Sequence, residues 1–221
     1  MLRVGRVLVA VAVFAPFSFA GALTTITSLG SLGATDFIDW GQLGPDLTDV
    51  PGPLTVTSNL GETVTVANGT SDFLSVQQSN TWGGNFLPGE HLIVNQAGGT
   101  YTITFATPIQ AAGMQFQSLD FGAFIATITA FGAGNTNFGT VTANGTSDSS
   151  ANGSAVFLGV QSSAMDIVAL HVDVQMNSLD DPFANNMLSF AGQVTALPEP
   201  STMALGGAGL LLGILRRRRA A

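Results

Sequence analysis

The chain has 221 residues, of which 9% are charged and 46% hydrophobic, and it contains no cysteine. It can therefore form neither a disulfide scaffold nor a thiolate metal site, and its apolar content is too high for a disordered chain. All six basic residues are arginines at the two ends, so the region between Gly21 and Leu197 carries thirteen acids, no base and a formal charge near −13. Such a body repels nucleic acid and attracts cations.

The N-terminus has the layout of a secretory signal peptide. Two arginines precede an apolar stretch over residues 7–19, and small residues follow at Ser18, Ala20 and Ala22. This order of basic, apolar and small residues predicts a signal-peptide helix over residues 1–22, cleaved after Ala20 or Ala22. The alternative is a retained membrane anchor.

The body, residues 23–196, shows strand periodicity and no helical periodicity of useful length. Apolar and polar residues alternate in many short runs, which predict strands at 54–58, 63–66, 72–77, 90–95, 101–105, 111–117, 124–131, 137–142, 154–160, 170–174 and 187–194. Turn signals separate them, among them the Asn-Gly pairs at 68–69, 144–145 and 152–153. The pattern predicts one all-β domain, an antiparallel, jelly-roll-like β-sandwich, with residues 124–131 as a central strand.

The best candidate for ligand binding is Trp82, which stands in a polar, glycine-flanked loop between Asn80 and Asn85. A lectin-like site would stack a sugar on such a ring and bind its hydroxyls with the neighbouring amides. The alternative for Trp82 is packing in the core, the commoner use of a large aromatic side chain. Trp40 follows Phe37 and Ile38 and is expected in the core.

The acids suggest two further chemistries. Asp148 and the pair Asp180-Asp181 offer hard oxygen ligands for calcium, but neither segment has the spacing of an EF-hand, and solvated loops explain them equally. A pair of carboxylates could instead support glycoside hydrolysis, although no feature of the sequence selects the pair. We expect no other cofactor and no metal site beyond these.

The two histidines have simple interpretations. His171 and Asp173 alternate with apolar residues, which places both on a solvated strand face, and His91, beside Glu90, is expected at the surface near a strand edge. No Gly-x-Ser-x-Gly nucleophile motif accompanies either histidine. We therefore expect a protein that is not an enzyme.

The C-terminus, residues 197–221, combines three ordered parts. Pro198-Glu199-Pro200 is followed by an apolar stretch over residues 203–215 and by four arginines, Arg216, Arg217, Arg218 and Arg219. The prolines keep the motif extended, and the apolar stretch predicts a short transmembrane helix that the arginines stop at the cytoplasmic side. The alternative is a proline-rich linker before an ordinary anchor.

These three parts resemble the PEP-CTERM sorting domain of Gram-negative bacteria. The resemblance implies recognition of Pro198, Glu199 and Pro200 by a membrane-embedded exosortase. It also implies a precursor that is exported across the inner membrane, transiently inserted at both ends, and then released or transferred to the cell surface.

The body resembles uncharacterised β-sandwich surface proteins of such bacteria through residues 37–45, 86–91, 121–124 and 154–160. This resemblance implies a fold and no activity. The sequence therefore predicts an exosortase-sorted surface protein with a structural or adhesive role in exopolysaccharide or the cell envelope. The alternatives are a carbohydrate-binding module centred on Trp82 and a glycan hydrolase that uses an acid pair.

Overall fold

The structure, a computed structural model, describes residues 22–69 and 72–192. Sixteen strands account for most of this part of the chain. They are β1 Leu23–Ile26, β2 Asp36–Ile38, β3 Thr48–Val50, β4 Leu54–Thr57, β5 Thr63–Ala67, β6 Phe73–Gln77, β7 His91–Asn95, β8 Tyr101–Ile109, β9 Ala111–Ser118, β10 Gly122–Gly132, β11 Thr136–Ser147, β12 Val156–Ser162, β13 Ile167–Met176, β14 Leu179–Asp180, β15 Phe183–Asn185 and β16 Leu188–Ala191. The helices are short: α1 Leu29–Leu32 and two 3-10 turns, Trp40–Leu43 and Ala133–Asn135.

The strands form two antiparallel sheets, which confirms the predicted all-β sandwich. Sheet A has the order β1-β12-β9-β15-β7-β6-β3, and β16 joins it by pairing with β9 and β2. Sheet B has the order β11-β10-β13-β8-β5-β4, with β14 attached to β13. Strand β10 pairs on both sides, with β11 and β13, and is therefore an interior strand of sheet B, as predicted.

Alternation along each strand decides which side chains enter the space between the sheets. In β13, Leu170, Val172 and Val174 are fully buried, whereas His171 and Asp173 point to the outer face of sheet B. This is the arrangement that the sequence predicts, since successive side chains of a strand point to opposite faces.

The main core lies between the two sheets and is rich in aromatic rings. Tyr101 of β8 meets Phe73 edge-on, with 5.7 Å between ring centroids, and stacks on Phe183 at 5.6 Å. The Tyr101 hydroxyl donates to Oδ1 of Asn185 (2.7 Å), and burial raises the pKa of this phenol well above its usual range. Trp40 is fully buried, as predicted, and its indole N–H donates to the carbonyl of Asn186 (2.7 Å).

The outer face of sheet A carries two smaller apolar clusters. Helix α1 covers one end, where Leu32 packs with Ile26 and Ala111. The loop over residues 78–90 covers the other end and brings Trp82 and Phe86 onto the sheet. Sheet A is therefore buried on its inner face and largely covered on its outer face.

One turn prediction is wrong. Asn144 and Gly145 lie within β11, where they pair with Ile125 and Phe124 of β10. A side chain at Gly145 would collide with the Phe124 ring, so the glycine leaves space for that ring rather than making a turn. The short strands β1, β2, β3, β14 and β15 were not predicted, because runs of two to four residues give little periodicity.

Within residues 22–69 and 72–192, we find no helix whose length and apolar character would let it cross a membrane.

Candidate functional site

All residues of the predicted sorting signal lie outside the described part of the chain. They include the motif Pro198, Glu199 and Pro200, the apolar stretch that follows it, and Arg216, Arg217, Arg218 and Arg219. The predicted signal peptide, apart from its last residue, also lies outside. The described residues therefore bear on the body alone.

Trp82 is part of the core. Its side chain is 7% exposed and packs with Phe86, Leu92 and Val94 on the outer face of sheet A. The indole N–H donates to Oε1 of Gln117 (3.2 Å). The predicted role of Trp82 as a sugar-stacking ring is thus corrected, because neither ring face is open to a ligand and the polar atom of the ring is bound internally.

The two amides predicted to flank that site have different roles. Asn85 is buried; its amide nitrogen donates to Asp148, Ser150 and Ser154, and its oxygen accepts from the backbone N–H of Asp148 (2.8 Å). Asn80 is exposed and donates to Oε1 of Gln77 (3.0 Å). Asn85 therefore joins the 78–90 loop to the segment after β11, and it has no group left to offer a ligand.

The carboxylates predicted for calcium lie in separate hydrogen-bond networks. Oδ1 of Asp148 accepts from Asn85 and from the backbone N–H of Ser150 (2.7 Å), and hydrogen bonds from Ser150 lower the pKa of Asp148. Asp181 is buried and accepts from the Ser118 hydroxyl. Among residues 22–69 and 72–192 no three His, Asp or Glu side chains form a group that could hold a metal ion.

Residues 144–148, which the Asn-Gly signal at 144–145 predicts as a loop, lie mostly in a strand. Residues 144–147 belong to β11, so their backbone carbonyls take part in the pairing with β10 rather than being grouped as in a calcium-binding loop. Asp180 lies in β14, which belongs to the same sheet B but pairs with β13 and not with β11.

His91 is half-buried rather than a surface residue. It begins β7, and its imidazole packs so closely on the Trp40–Leu43 turn that a Cβ at Gly41 would come within 3.0 Å of Cδ2. Glu90 accepts from the backbone N–H of Leu87 (2.7 Å) and from the amide of Asn186 (3.0 Å). These contacts give both residues a structural role.

Two acids lie near each other on the outer face of sheet B. The amide nitrogen of Gln175 donates to Asp173 (3.3 Å) and to Asp180 (3.4 Å). Burial, and secondarily the charge of Asp180, raises the pKa of Asp173. A carboxyl group with a raised pKa beside a second carboxylate is a feature of acid–base sites, so this pair is the candidate for the predicted hydrolase.

Alternation along β13 predicts Asp173 on this face, but the two residues of β14 have no periodicity that would predict its neighbour Asp180. The missing signal is the tight turn at Asn177 and Ser178, both with positive φ, which folds β14 back onto β13. A two-residue turn with two positive φ values is the hairpin connection that asparagine favours, so the pair Asn177-Ser178 was the available clue.

A shallow groove crosses the outer face of sheet A between α1 and the 78–90 loop. Its volume is about 380 Å³, and its floor contains Gln115, Phe157 and Ser189. The amide of Gln115 donates to the carbonyls of Gly153 (3.1 Å) and Ala155 (2.9 Å). The groove has no titratable lining residue, so it offers shape and neutral polar atoms but no acid, base or histidine.

These features define an antiparallel β-sandwich with an acidic body and no evident nucleophile–histidine arrangement among the described residues. Residues 196–219 match the model of the PEP-CTERM protein-sorting motif. The protein is an exported protein that carries a PEP-CTERM sorting motif for processing by an exosortase, with a membrane-anchored precursor.

Two other comparisons do not indicate a function for the body. No curated protein matches the chain. The crystal structure of a DUF4465 family protein from Bacteroides caccae covers 76% of this chain and 99% of its own, with 10% sequence identity and a TM-score of 0.38.

Proposed function

We propose that the body, once delivered to the outside of the cell, has a structural or adhesive role in the exopolysaccharide matrix or the cell envelope. The observation that carries this proposal is the sorting motif at residues 196–219, which directly follows an all-β body. We also propose that the body is not an enzyme.

The charge of the body supports a passive role outside the cell. Between Gly21 and Leu197 no lysine or arginine is present, so the body lacks the cations that contact nucleic acid or anionic lipid. Its stability comes from sheet hydrogen bonds and from apolar burial between and outside the sheets.

The alternative of a lectin-like site at Trp82 is not favoured, because that ring is buried. The alternative of a hydrolase would depend on Asp173 and Asp180. Asp180 is exposed, and the two carboxylates share the outer face of a sheet rather than a cleft that could exclude water.

The delivery step is tested by expressing the gene in cells with and without an exosortase. Mass spectrometry of the C-terminal peptide should show loss of the segment after Pro200 only when the enzyme is present. A variant with Pro198→Ala and Pro200→Ala should remain intact, whereas Pro88→Ala, an exposed proline outside the motif, should be processed normally. An intact Ala221 in both hosts would contradict the assignment.

The structural role is tested by fractionating the culture. The protein should be recovered with the exopolysaccharide or the envelope, and it should shift to the soluble medium in cells that make no exopolysaccharide. Release of reducing sugar from that polysaccharide by the wild type, absent in Asp173→Asn, would instead support the hydrolase and contradict the proposal.

A further inference from the structure

The outer face of sheet B carries a regular set of threonines. Five of its strands contain a Thr-x-Thr triplet, at residues 55–57, 63–65, 102–104, 127–129 and 140–142. In each triplet the central residue, Val or Ile, is buried in the core, so both threonines point outward. We call these ten outward positions the threonine face.

The register of the strands aligns the triplets in rows. Thr65 of β5 stands between Thr55 of β4 and Thr104 of β8. Farther along the sheet, Thr127 stands between Asp173 of β13 and Thr142 of β11. The backbone positions of neighbouring threonines are therefore spaced by about 4.8 Å across strands and by about 6.8 Å along a strand.

The ten threonine positions carry no charge although the body is strongly acidic, and β13, which lies between β8 and β10, divides them into two groups and presents His171 and Asp173 between those groups. Asp173 and Asp180 are the acids on the strands of sheet B, and the remaining acids of the body lie elsewhere. A solvent-facing sheet surface normally mixes threonine with lysine, glutamate and arginine. Strand propensity explains why threonine is suitable here, but it does not explain why five strands repeat the same neutral choice.

The hydroxyls of this face are turned to solvent. The Thr129 and Thr140 hydroxyls bond to each other at 2.8 Å, and this is the one hydrogen bond that joins two members of the face within the described residues. Thr55, Thr57, Thr104 and Thr142 are exposed. Each hydroxyl can both donate and accept, as the hydroxyls of a sugar do, and the adjacent methyl group can contact the apolar face of a sugar ring.

We propose that the threonine face binds neutral polysaccharide chains. This inference rests on the proposed function and adds to it the surface and the class of ligand. A polyanionic chain would be repelled by the acidic body, whereas a neutral chain meets a matching array of hydroxyl and methyl groups. Successive strands of a sheet are rotated by about 20–25°, so a flexible chain can follow this surface, whereas a rigid lattice such as ice cannot match it across six strands.

The test measures binding of the protein, as it is exported by the cell, to amorphous cellulose and to dextran. Alginate serves as the polyanionic comparison. The variant replaces one outward threonine on each of four strands: Thr65→Val, Thr104→Val, Thr127→Val and Thr142→Val. Valine keeps the shape and the strand preference of threonine and removes only the hydroxyl. The matched control is Thr24→Val with Thr25→Val, on edge strand β1 of sheet A.

We expect the wild type and the control to bind a neutral glucan and not alginate, and the fourfold variant to bind at least about tenfold more weakly. Thr104→Lys, a single exposed change, should weaken binding as well and serves if the fourfold variant misfolds. Equal binding by the wild type and these variants would overturn the assignment of the face while leaving the proposed function standing. Binding of alginate in preference to glucan would also overturn the assignment.

The same assignment fails if the wild type inhibits ice recrystallisation but is retained by no neutral glucan. Failure of the proposed function would be seen in a different experiment, the culture fractionation. There the location of the wild-type protein would be the same with and without exopolysaccharide.

Discussion

The outer faces of the two sheets differ although both are made by the same alternation. On sheet A most outward positions of β9 and β12 are small or amide residues, such as Gly113, Gly159 and Gln117, with Phe157 as the aromatic exception, and a helix and a loop pack over this face. On sheet B ten of the outward positions are threonines, of which six are exposed and four are half-buried. The choice of outward residue thus decides whether a sheet face becomes a second core or stays available to solvent.

Gly113 shows how sheet A accommodates this covering. The ring of Phe157 lies over it, so that a Cβ at Gly113 would come within 2.7 Å of the ring and 2.8 Å of Gly159 Cα. The missing side chains let an aromatic ring lie flat on the sheet beside α1. A covering segment needs this kind of space, which threonines would fill.

The largest effect on stability is expected at Trp82, a core residue of the covered outer face of sheet A. Trp82→Ala should lower the free energy of unfolding by about 3–5 kcal/mol, because it leaves a cavity beneath the 78–90 loop and removes the partner of Gln117. Chemical denaturation gives the value. Leu179→Ala, which removes a side chain 71% exposed beside sheet B, should change it by less than about 0.5 kcal/mol. A similar small change at Trp82 would mean that the ring is not a core residue.

The next largest effect is expected at Asn85, which ties the same loop to the end of β11. Asn85→Ala should destabilise the protein by about 2 kcal/mol, since it leaves the backbone N–H of Asp148 without its partner and breaks three further hydrogen bonds. Asn80→Ala removes an exposed amide from the same loop and should have an effect within about 0.5 kcal/mol. Equal losses of stability in the two variants would argue against the network around Asn85.

These two asparagines also show what a sequence can predict. The longer strands of both sheets were predictable, since apolar alternation such as that of β13 follows from burial of one face. The roles of Trp82 and Asn85 were not predictable, because each depends on contacts with residues more than thirty positions away, Gln117 and Asp148 respectively. The turn prediction for Asn144-Gly145 was wrong for a similar reason. Pairing with β10 and packing against the ring of Phe124, rather than the local turn preference, determine the conformation of these two residues.

The sorting motif, in contrast, is fully predictable from the sequence. Its proline pair, apolar stretch and arginines are recognised as a linear pattern, so the sequence alone was enough to identify it, as the match over residues 196–219 confirms. The threonine triplets are intermediate. They are visible in the sequence, but only strand register shows that they share one face.

The smallest expected effect concerns the acid pair on the uncovered face. Burial and the neighbouring Asp180 raise the pKa of Asp173, so the folded protein binds the proton of this group more tightly than the unfolded chain does. Stability therefore falls as pH rises through the interval from the ordinary aspartate pKa to the raised one, and the ionised group opposes folding at neutral pH. Besides Asp173 and Asp180, this face carries one further ionisable side chain on β13, that of His171.

Asp173→Asn should accordingly raise the melting temperature slightly at pH 7, by the equivalent of less than about 1 kcal/mol, because half-exposure to solvent weakens the effect. The difference between the variant and the wild type should shrink as pH falls through the raised pKa and vanish below the ordinary value. Thermal melts at intervals from pH 3 to pH 7 measure it, and Asp120→Asn, an exposed acid outside the sheets, provides the control. If Asp173→Asn is instead less stable than the wild type, by an amount that grows toward pH 7, then the ionised carboxylate stabilises the fold. That result would contradict the raised pKa of Asp173.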